Sequence, residues 1–273
     1  MHKRLKIGIV GCGAIGSSLA RAIRDKFSAK ALLTAVFDKD NPKATRVSRS
    51  ILKKDVSVKN ITLLVRKVDL VIEAASALDS WKIAREALGA GKDVMLMSVG
   101  GVIGRLAQLR RLAEKNNARV YIPSGAISGL DALKASSMGK IKEVVLITRK
   151  HPTSFKGVRY IQDKGIKLDS IRQDRVLFSG SARQAVKYFP QNINVAAVLS
   201  LAGIGQDKTK VKIIASPLHK KNIHDVRIVS DAGEVNTRTI NVLHPSNPKT
   251  SFLAVLSAAA TLKQILEPLK LGS

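Results

Sequence analysis

The first part of the chain alternates short, continuous apolar runs with longer stretches in which apolar residues recur at helical spacing. Such runs predict buried strands, because neither face carries regular polar positions. The predicted strands are residues 6–10, 32–37, 70–74, 93–97 and 119–122, and the predicted helices between them are residues 15–26, 42–52, 80–89 and 104–115. This alternation predicts an α/β fold in which helices cover both faces of a doubly wound parallel sheet.

The pattern changes after Pro123. Residues 128–138 predict a helix, and residues 141–150 alternate apolar and polar side chains, as in a strand with one exposed face. Later helices are predicted at 182–188, 193–201 and 251–266, and later strands at 211–215, 223–229 and 235–242, the last two joined by a turn at 231–234. We therefore predict a first domain over residues 1–124 and a second α+β domain with a mostly antiparallel sheet over residues 125–250. The C-terminal segment, 251–273, is expected to pack its helix back on the first domain.

Length and composition indicate a folded protein. The 273 residues are 45% hydrophobic, which is enough for a substantial core. No apolar stretch reaches the roughly 18 residues that a membrane-spanning helix needs, and the apolar run behind the basic N-terminus is too rich in glycine for a signal peptide. Cys12 is the one cysteine, so no internal disulfide can form. We expect a cytoplasmic protein that does not bind membranes.

The charge is strongly positive, with 47 Lys and Arg against 20 Asp and Glu and a formal net charge of +27. Such an excess suits an anionic partner. The basic residues are dispersed, however, in runs no longer than pairs such as Lys53-Lys54, and no cluster of aromatic residues lies among them. Nucleic-acid binders concentrate charge on one face and add stacking side chains. The sequence therefore favours a solvated basic surface over nucleic-acid recognition.

A glycine-rich segment directly follows the first predicted strand and opens the first predicted helix. In a dinucleotide-binding loop, the first glycine permits a tight turn, the second lets the backbone approach the pyrophosphate, and the third lets helix and strand pack closely. The helix N-terminus adds N–H donors and the positive end of its dipole. We therefore predict a Rossmann domain that binds an NAD-type cofactor through Gly11, Gly13, Ala14, Ile15 and Gly16.

Asp38 ends the second predicted strand, where a carboxylate accepts hydrogen bonds from the adenine ribose. It favours NAD, because it repels the extra phosphate of NADP, although Lys39 beside it would offset that repulsion and admit NADP. An ordinary role in the turn after the strand is the alternative. The carboxyl ends of later strands in the same sheet should face the nicotinamide, which makes Ala75 and Ser76 further cofactor candidates.

A dehydrogenase of alcohols or amines needs a base that works near neutral pH, and histidine is the usual one. His151, His219 and His244 lie beside proline or lysine in loop-like surroundings, and His2 is terminal. His224 differs because it starts a predicted strand of the second domain. It is the candidate catalytic base, with a purely structural histidine as the alternative.

Several segments together resemble the L-aspartate dehydrogenase family, which takes part in NAD biosynthesis in archaea and bacteria. They span most of the chain: GIVGCGAIG at 8–16, EAAS at 73–76, SGAISG at 124–129, FPQNINVAA at 189–197, NIH at 222–224 and NPKTS at 247–251. The first is shared by many dehydrogenases, whereas FPQNINVAA and NIH are more particular. The resemblance implies NAD(P)-dependent oxidation of L-aspartate to iminoaspartate, which feeds quinolinate synthesis or hydrolyses to oxaloacetate and ammonia.

The resemblance also implies roles for individual residues. It makes His224 the catalytic residue, and it makes Ala126 and Asn192 contacts to the cofactor. It further implies a homodimer in which the second domains pair their sheets.

Other interpretations stay open at the level of sequence. The two substrate carboxylates need cationic or N–H partners, which Lys249, Thr250 and the start of the last helix would supply, with Asn194 as a further substrate candidate. A simple helix cap is the alternative for the segment around Lys249. The rival functions are another two-domain oxidoreductase, acting on homoserine or a cyclic imine, and a non-catalytic dinucleotide-binding regulator. No metal site is expected.

Overall fold

A computed structural model describes residues 3–190 and 194–272, with residues 248 and 249 described by their backbone only. The chain divides into two compact units. The first comprises the chain up to Pro123 together with Val255–Leu271, and the second comprises Ser124–Ala254 and Gly272. No helix of the described residues is long and apolar enough to cross a membrane.

The first unit is built on a parallel sheet. Its strands are β1 (Leu5–Val10), β2 (Ala31–Phe37), β3 (Leu70–Glu73), β4 (Asp93–Leu96) and β5 (Val120–Tyr121), in the order β2-β1-β3-β4-β5. Its helices include α1 (Ala14–Lys26), α2 (Asn41–Leu52), α3 (Ile61–Val65), α4 (Ala77–Gly89) and α5 (Leu106–Lys115). The strands are apolar on both faces, with Ile7, Ile9 and Ile72 at most 1% exposed. The predicted parallel α/β sheet is confirmed.

Strand register decides which residues meet at one edge of this sheet. Val10 at the end of β1 pairs with Phe37 of β2 on one side and with Glu73 of β3 on the other. The residues that follow these three strand ends therefore lie side by side, since parallel strands end at the same edge. The glycine loop, Asp38 and the segment after Glu73 are brought together in this way.

The second unit carries a mixed sheet. Its elements are α6 (Leu130–Ser136), β6 (Ile141–Lys150), α7 (Arg159–Asp163), β7 (Arg175–Ser181), α8 (Ala182–Tyr188), α9 (Asn194–Ala202), β8 (Lys210–Ala215), β9 (Asn222–Ser230), β10 (Gly233–Asn241), β11 (Leu243–His244) and β12 (Asn247–Ser251). The main sheet has the order β10-β9-β6-β8-β7, and only the β6–β8 pair is parallel. The mostly antiparallel sheet predicted for this part is confirmed. Its inner face packs on an apolar core that includes Phe155 and Phe189, whose rings meet edge to face.

The last helix, α10 (Phe252–Leu266), follows β12 directly. Ala258 and Leu262 are fully buried in the core of the first unit, beside residues of β1 and α1. The helix is apolar along this face, which is why the chain returns to the first unit after forming the second. The predicted return of the C-terminal helix is confirmed.

At several places the elements of the structure differ from the predicted ones. The sequence does not predict β7, because its second half is Ser179-Gly180-Ser181 and only a short apolar run precedes it. It also misses α3, a helix too short for a periodic pattern, which begins where Asn60 accepts a hydrogen bond from the Leu63 N–H at 2.9 Å. The last helix was predicted to start at Ser251, but Ser251 ends strand β12 and pairs with Leu243.

Candidate active site

The three glycines of the loop differ in what surrounds them. Gly11 has φ of +99°, and a Cβ there would lie 2.4 Å from the Ala74 carbonyl oxygen. A Cβ on Gly16 would lie 1.9 Å from the Gly11 carbonyl oxygen, whereas one on Gly13 would meet nothing within 4 Å. Gly11 and Gly16 are therefore required by the fold of the loop, and Gly13 leaves open space. Gly13 precedes α1 without any side-chain cap, so the first N–H groups of this helix are available to a ligand.

The Asp38 carboxylate is held against the glycine loop. One oxygen accepts a hydrogen bond from the Cys12 N–H at 2.7 Å, and the other accepts one from the Asp40 N–H at 3.0 Å. Lys43 Nζ lies 3.6 Å from the same carboxylate. The cap of α2 is Asp40, which accepts from the Lys43 N–H. Asp38 thus links the end of β2 to the loop, and its contact with an adenine ribose stays a prediction.

A cleft of about 640 Å³ opens at this edge of the sheet. The predicted cofactor residues that line it are Gly11, Gly13, Asp38, Ala75 and Ser76. Ala14 and Ile15 form the first turn of α1 outside that lining, and Gly16 is packed beneath the loop. The structure therefore brings together the loop, the end of β2 and the start of α4 around one concave surface.

Two ion pairs and one hydroxyl organise the charge in this cleft. Lys39 Nζ lies 2.8 Å from Asp79 Oδ1, and this contact holds the pKa of Asp79 below its usual value. The Ser76 hydroxyl donates to the other Asp79 oxygen at 2.8 Å. Lys43 thus places one cation beside Asp38 and Lys39 places another in the same cleft, which is compatible with the NADP alternative. Burial raises the pKa of the Cys12 thiol to about 12, so this cysteine packs and does not react.

Glu73, at the end of β3, is fully buried. One carboxyl oxygen accepts from the Ala75 N–H at 2.9 Å, and the other accepts from the N–H groups of Met97 and Ser98 at 3.2 and 2.9 Å. The Ser80 hydroxyl donates to the same carboxyl at 3.3 Å. Burial raises the pKa of Glu73, and the N–H donors oppose that rise. Glu73 fixes the loops that follow β3 and β4.

His224 lies in the second unit, on strand β9, and is 2% exposed. It pairs with Thr148 of the neighbouring strand β6, and its Nδ1 lies 3.1 Å from the Thr148 hydroxyl. Burial first, and then the positive charge of Lys150, lower the pKa of His224 to about 3. The imidazole is therefore neutral at physiological pH, which is the form that accepts a proton.

His224 belongs to a polar end of an otherwise apolar sheet face. The inner positions of β6 run from Val144 and Leu146 to Thr148 and Lys150. Lys150 is 7% exposed, and burial lowers its pKa to about 8. The core thus gives way to buried polar groups where the strand ends.

The segment that contains Ala126 is tied to this polar end by strand β10. The Asn241 side chain donates to the Ala126 carbonyl oxygen at 3.0 Å, and the hydroxyls of Ser128 and Thr239 lie 2.9 Å apart. Asn241 is paired with Asn222 of β9, two residues before His224. Ala126, the predicted cofactor contact, is therefore tied by a hydrogen bond to β10, the strand next to the one that carries His224.

The remaining candidates are Asn192, Asn194, Lys249 and Thr250. Asn192 falls outside the described residues. Asn194 is exposed at the start of α9, and Lys249 and Thr250 lie in strand β12, just before α10. The next residue, Ser251, accepts a hydrogen bond from the Asn222 side chain at 3.1 Å. Ser251 ends β12 and directly precedes α10, so a capping role for the segment 248–251 stays the alternative. Substrate contact by Asn194, Lys249 and Thr250 stays a prediction.

Sequence reasoning missed Glu73, Thr148 and Lys150 as site residues, although each left a signal. Glu73 is a carboxylate in an apolar run, and Lys150 stands on the face of 141–150 that the alternation predicts to be buried. A charged residue at a buried position is informative, because burial is costly unless the group has a role. Among residues 3–190 and 194–272, no group of His, Cys, Asp and Glu is placed to hold a metal ion.

Two family models match successive parts of the chain. Residues 11–123 match the family described as "Homoserine dehydrogenase, NAD binding domain", and residues 131–265 match "Aspartate dehydrogenase, C-terminal". A solved structure of aspartate dehydrogenase from Thermotoga maritima is similar with a TM-score of 0.72 and 26% identity, and the match covers 99% of this chain and 100% of that one. A homoserine dehydrogenase from Thiobacillus denitrificans, at 14% identity and a TM-score of 0.63, shares the fold over 97% of this chain and 73% of its own.

Curated relatives match over nearly the whole length. The L-aspartate dehydrogenase of Methanococcoides burtonii is 46% identical over 98% of this chain and 100% of its own. That of Methanosarcina barkeri is 43% identical over the same shares. These matches cover both units of the chain. The chain belongs to the L-aspartate dehydrogenase family.

Proposed function

We propose that the protein is an oxidoreductase that converts L-aspartate to iminoaspartate with NAD or NADP. The observation that carries the proposal is a buried, neutral histidine on the sheet of a domain that matches the aspartate dehydrogenase family. Residues 1–124 with 251–273 are proposed as the cofactor domain, and 125–250 as the substrate and dimerisation domain. Iminoaspartate would then enter quinolinate and NAD synthesis or hydrolyse to oxaloacetate and ammonia. A cytoplasmic homodimer is the expected form.

The first unit fits a dinucleotide. The space above Gly13 admits a pyrophosphate close to the backbone, and the uncapped start of α1 offers N–H donors to it. Asp38, at the end of β2, would accept a hydrogen bond from a ribose hydroxyl of the bound cofactor. The chemistry that a bound nicotinamide supplies is acceptance of a hydride from the substrate Cα.

His224 is the proposed base. The Cα–H bond can lose hydride only when the amine nitrogen has a free electron pair, so a proton must leave the substrate ammonium group. For Nε2 of His224 to accept it, Nδ1 must carry the ring hydrogen and donate it to the Thr148 hydroxyl. A bound dicarboxylate would raise the pKa of His224, since a nearby negative charge favours the imidazolium form. Thr148 thus orients the ring and selects its tautomer.

The test is the rate of NADH formation from NAD with L-aspartate, L-glutamate, L-homoserine and L-malate as separate substrates. We expect activity confined to L-aspartate. In His224→Asn, the amide nitrogen takes the place of Nδ1 and keeps the Thr148 contact, but the proton acceptor is lost, so kcat should fall by at least about 100-fold. The matched control is His219→Gln, because His219 is exposed.

Three outcomes would contradict the proposal. Oxidation of L-homoserine in preference to L-aspartate would move the protein to another substrate class. Unchanged turnover in His224→Asn would remove the proposed base. Binding of NAD without oxidation of any of the four substrates would favour a non-catalytic regulator.

A further inference from the structure

The polar end of the second unit's sheet contains a buried amide oxygen that the proposed proton transfer does not use. Asn241, the last residue of β10, is 2% exposed. Its amide nitrogen donates to the Ala126 carbonyl oxygen at 3.0 Å, and its Oδ1 accepts no hydrogen bond from any described residue. Buried polar atoms without partners are rare in folded proteins, because an unmade hydrogen bond destabilises the fold. The unmade hydrogen bond of Asn241 therefore points to a ligand.

The contact with Ala126 fixes which end of the amide is without a partner. A carbonyl oxygen only accepts hydrogen bonds, so the Ala126 oxygen must face the amide nitrogen of Asn241 and not its amide oxygen. An amide oxygen in turn accepts hydrogen bonds and donates none. The group that completes this site must therefore carry an N–H or O–H hydrogen. An ionised carboxylate has no hydrogen to donate and is excluded.

Strand register places Asn241 close to the proposed base. Thr148 of β6, His224 of β9 and Thr239 of β10 pair in one row across the sheet. Asn241 follows Thr239 by two residues, so it lies on the same face and is a diagonal neighbour of His224. The Cα atoms of such neighbours lie about 7–8 Å apart, a separation that a small ligand can bridge. Both side chains are 2% exposed, so a substrate that reaches the base enters an enclosed site to which Asn241 belongs.

We propose that Asn241 Oδ1 accepts a hydrogen bond from the amino group of the substrate, beside His224. The inference rests on the proposed function, because that function brings an amino acid to this end of the sheet. Both carboxylates of L-aspartate are ionised at neutral pH, so the amino group is the one hydrogen-bond donor that this substrate offers. The amide oxygen would hold the amino group while His224 accepts a proton from it.

An acceptor suits this reaction better than a donor would. Hydride leaves Cα only when the amine nitrogen keeps its electron pair for the new C=N bond. An amide oxygen engages one N–H and leaves that pair free, whereas a donor would engage the pair itself. As the hydride leaves, positive charge develops on the nitrogen and strengthens the N–H···O hydrogen bond. Asn241 is then a binding residue for the amino group that also stabilises the transition state.

The test compares Asn241→Leu with the matched control Asn236→Leu. Leucine keeps the branched shape of asparagine but has no acceptor, and Asn236 is an exposed asparagine on the same strand. Calorimetry in the presence of NADH, with which L-aspartate cannot react, gives the Kd of L-aspartate and that of succinate, the same dicarboxylate without the amine. Asn241→Leu should weaken L-aspartate binding by about 10- to 100-fold and succinate binding by less than about 3-fold. The control should bind both ligands as the wild type does.

A second variant, Asn241→Asp, separates the acceptor from the contact with Ala126. An ionised aspartate keeps an oxygen at the Oδ1 position but loses the donor to Ala126. Its charge would weaken the binding of both dicarboxylates, so the readout is the ratio of the succinate Kd to the L-aspartate Kd. This ratio should fall by about 10-fold or more in Asn241→Leu and should not fall in Asn241→Asp. An unchanged ratio in Asn241→Leu, or an equal fall in both variants, would overturn the inference.

A bound cofactor also carries N–H donors, above all the carboxamide of its nicotinamide. If Asn241 accepted that hydrogen bond, Asn241→Leu would weaken NADH binding by about 10-fold and leave the ratio of the two dicarboxylates unchanged. That result would overturn the assignment to the substrate. We expect the NADH affinity of Asn241→Leu to stay within about 3-fold of the wild type.

The wild type alone gives a measurement that does not depend on the folding of a variant. Its Kd for L-aspartate should be at least about 10-fold below its Kd for succinate, and equal values would overturn the inference. The same ligands separate the inference from the proposed function. If the wild type prefers L-aspartate to succinate without oxidising it, and Asn241→Leu loses that preference, the proposed function fails and the role of Asn241 is supported.

Discussion

Gly13 and Gly16 lie on either side of the start of α1, and an added methyl group should affect them differently. At Gly16 it should lower stability, and at Gly13 it should weaken NAD binding. In Gly16→Ala the new Cβ would lie 1.9 Å from the Gly11 carbonyl oxygen, a backbone atom that cannot rotate away. Overpacking of this kind costs about 1–3 kcal/mol or more, and the better helix propensity of alanine returns up to about 1 kcal/mol. The variant should therefore lose about 1–2 kcal/mol of unfolding free energy and about 2–8 °C in Tm.

Gly13→Ala should leave stability within about 0.5 kcal/mol of the wild type, because φ of −73° and ψ of −165° suit alanine and nothing lies within 4 Å of the new Cβ. The added methyl would instead occupy the space proposed for the pyrophosphate, so the Kd of NAD should rise at least about 10-fold.

One tryptophan makes this comparison direct. Trp81 is the one tryptophan of the chain and lies in α4 of the first unit, so its fluorescence during urea unfolding reports on the unit that contains both glycines. NAD binding is measured separately by calorimetry. The reasoning would be refuted if Gly13→Ala bound NAD as tightly as the wild type, or if it lost as much stability as Gly16→Ala.

Three further results are expected. Asp38→Asn removes the charge that repels a 2′-phosphate, so the ratio of NADP to NAD affinity should rise by about 10-fold in titrations of both cofactors; an unchanged ratio would show that Asp38 serves the turn alone. The thiol of Cys12, with its pKa near 12, should resist iodoacetamide at pH 8 until urea unfolds the chain, as followed by mass spectrometry. The folded pKa of His224, about 3, is below its ordinary value of 6.5. Stability should therefore fall as the pH drops below 6.5, by up to about 1.4 kcal/mol per pH unit, and His224→Asn should show a smaller fall.

Much of the fold follows from periodicity. Residues 141–150 are a strand with the predicted bounds, since ten residues of alternation fix both its type and its buried face. Strand β7 was missed because it is an edge strand whose Ser-Gly-Ser end carries no pattern. Strand β12 was missed because its pairing with β11 is a contact that the local sequence does not encode.

The candidate site was predictable where one segment carries the chemistry. The glycine loop is contiguous, and its neighbours at the strand ends follow from the topology of a parallel sheet. Lys150, by contrast, is 74 positions before His224 in the numbering, and it meets this histidine only because β6 and β9 pair in one particular register. Register depends on tertiary packing. The alternation is consistent with a buried position for Lys150, but nothing in the local sequence indicates which residue lies beside it.

The buried carboxyl of Glu73 has a consequence for the energetics of ligand binding. Loop segments after two neighbouring strands, at Ala75 and at Met97-Ser98, donate N–H groups to the same side chain. Their backbone is thus ordered when the chain folds, before any ligand arrives. Ordering one residue of backbone costs about 1–2 kcal/mol of conformational entropy. A ligand that contacts these loops does not have to order their backbone again. Its binding free energy is therefore not reduced by this loss of conformational entropy.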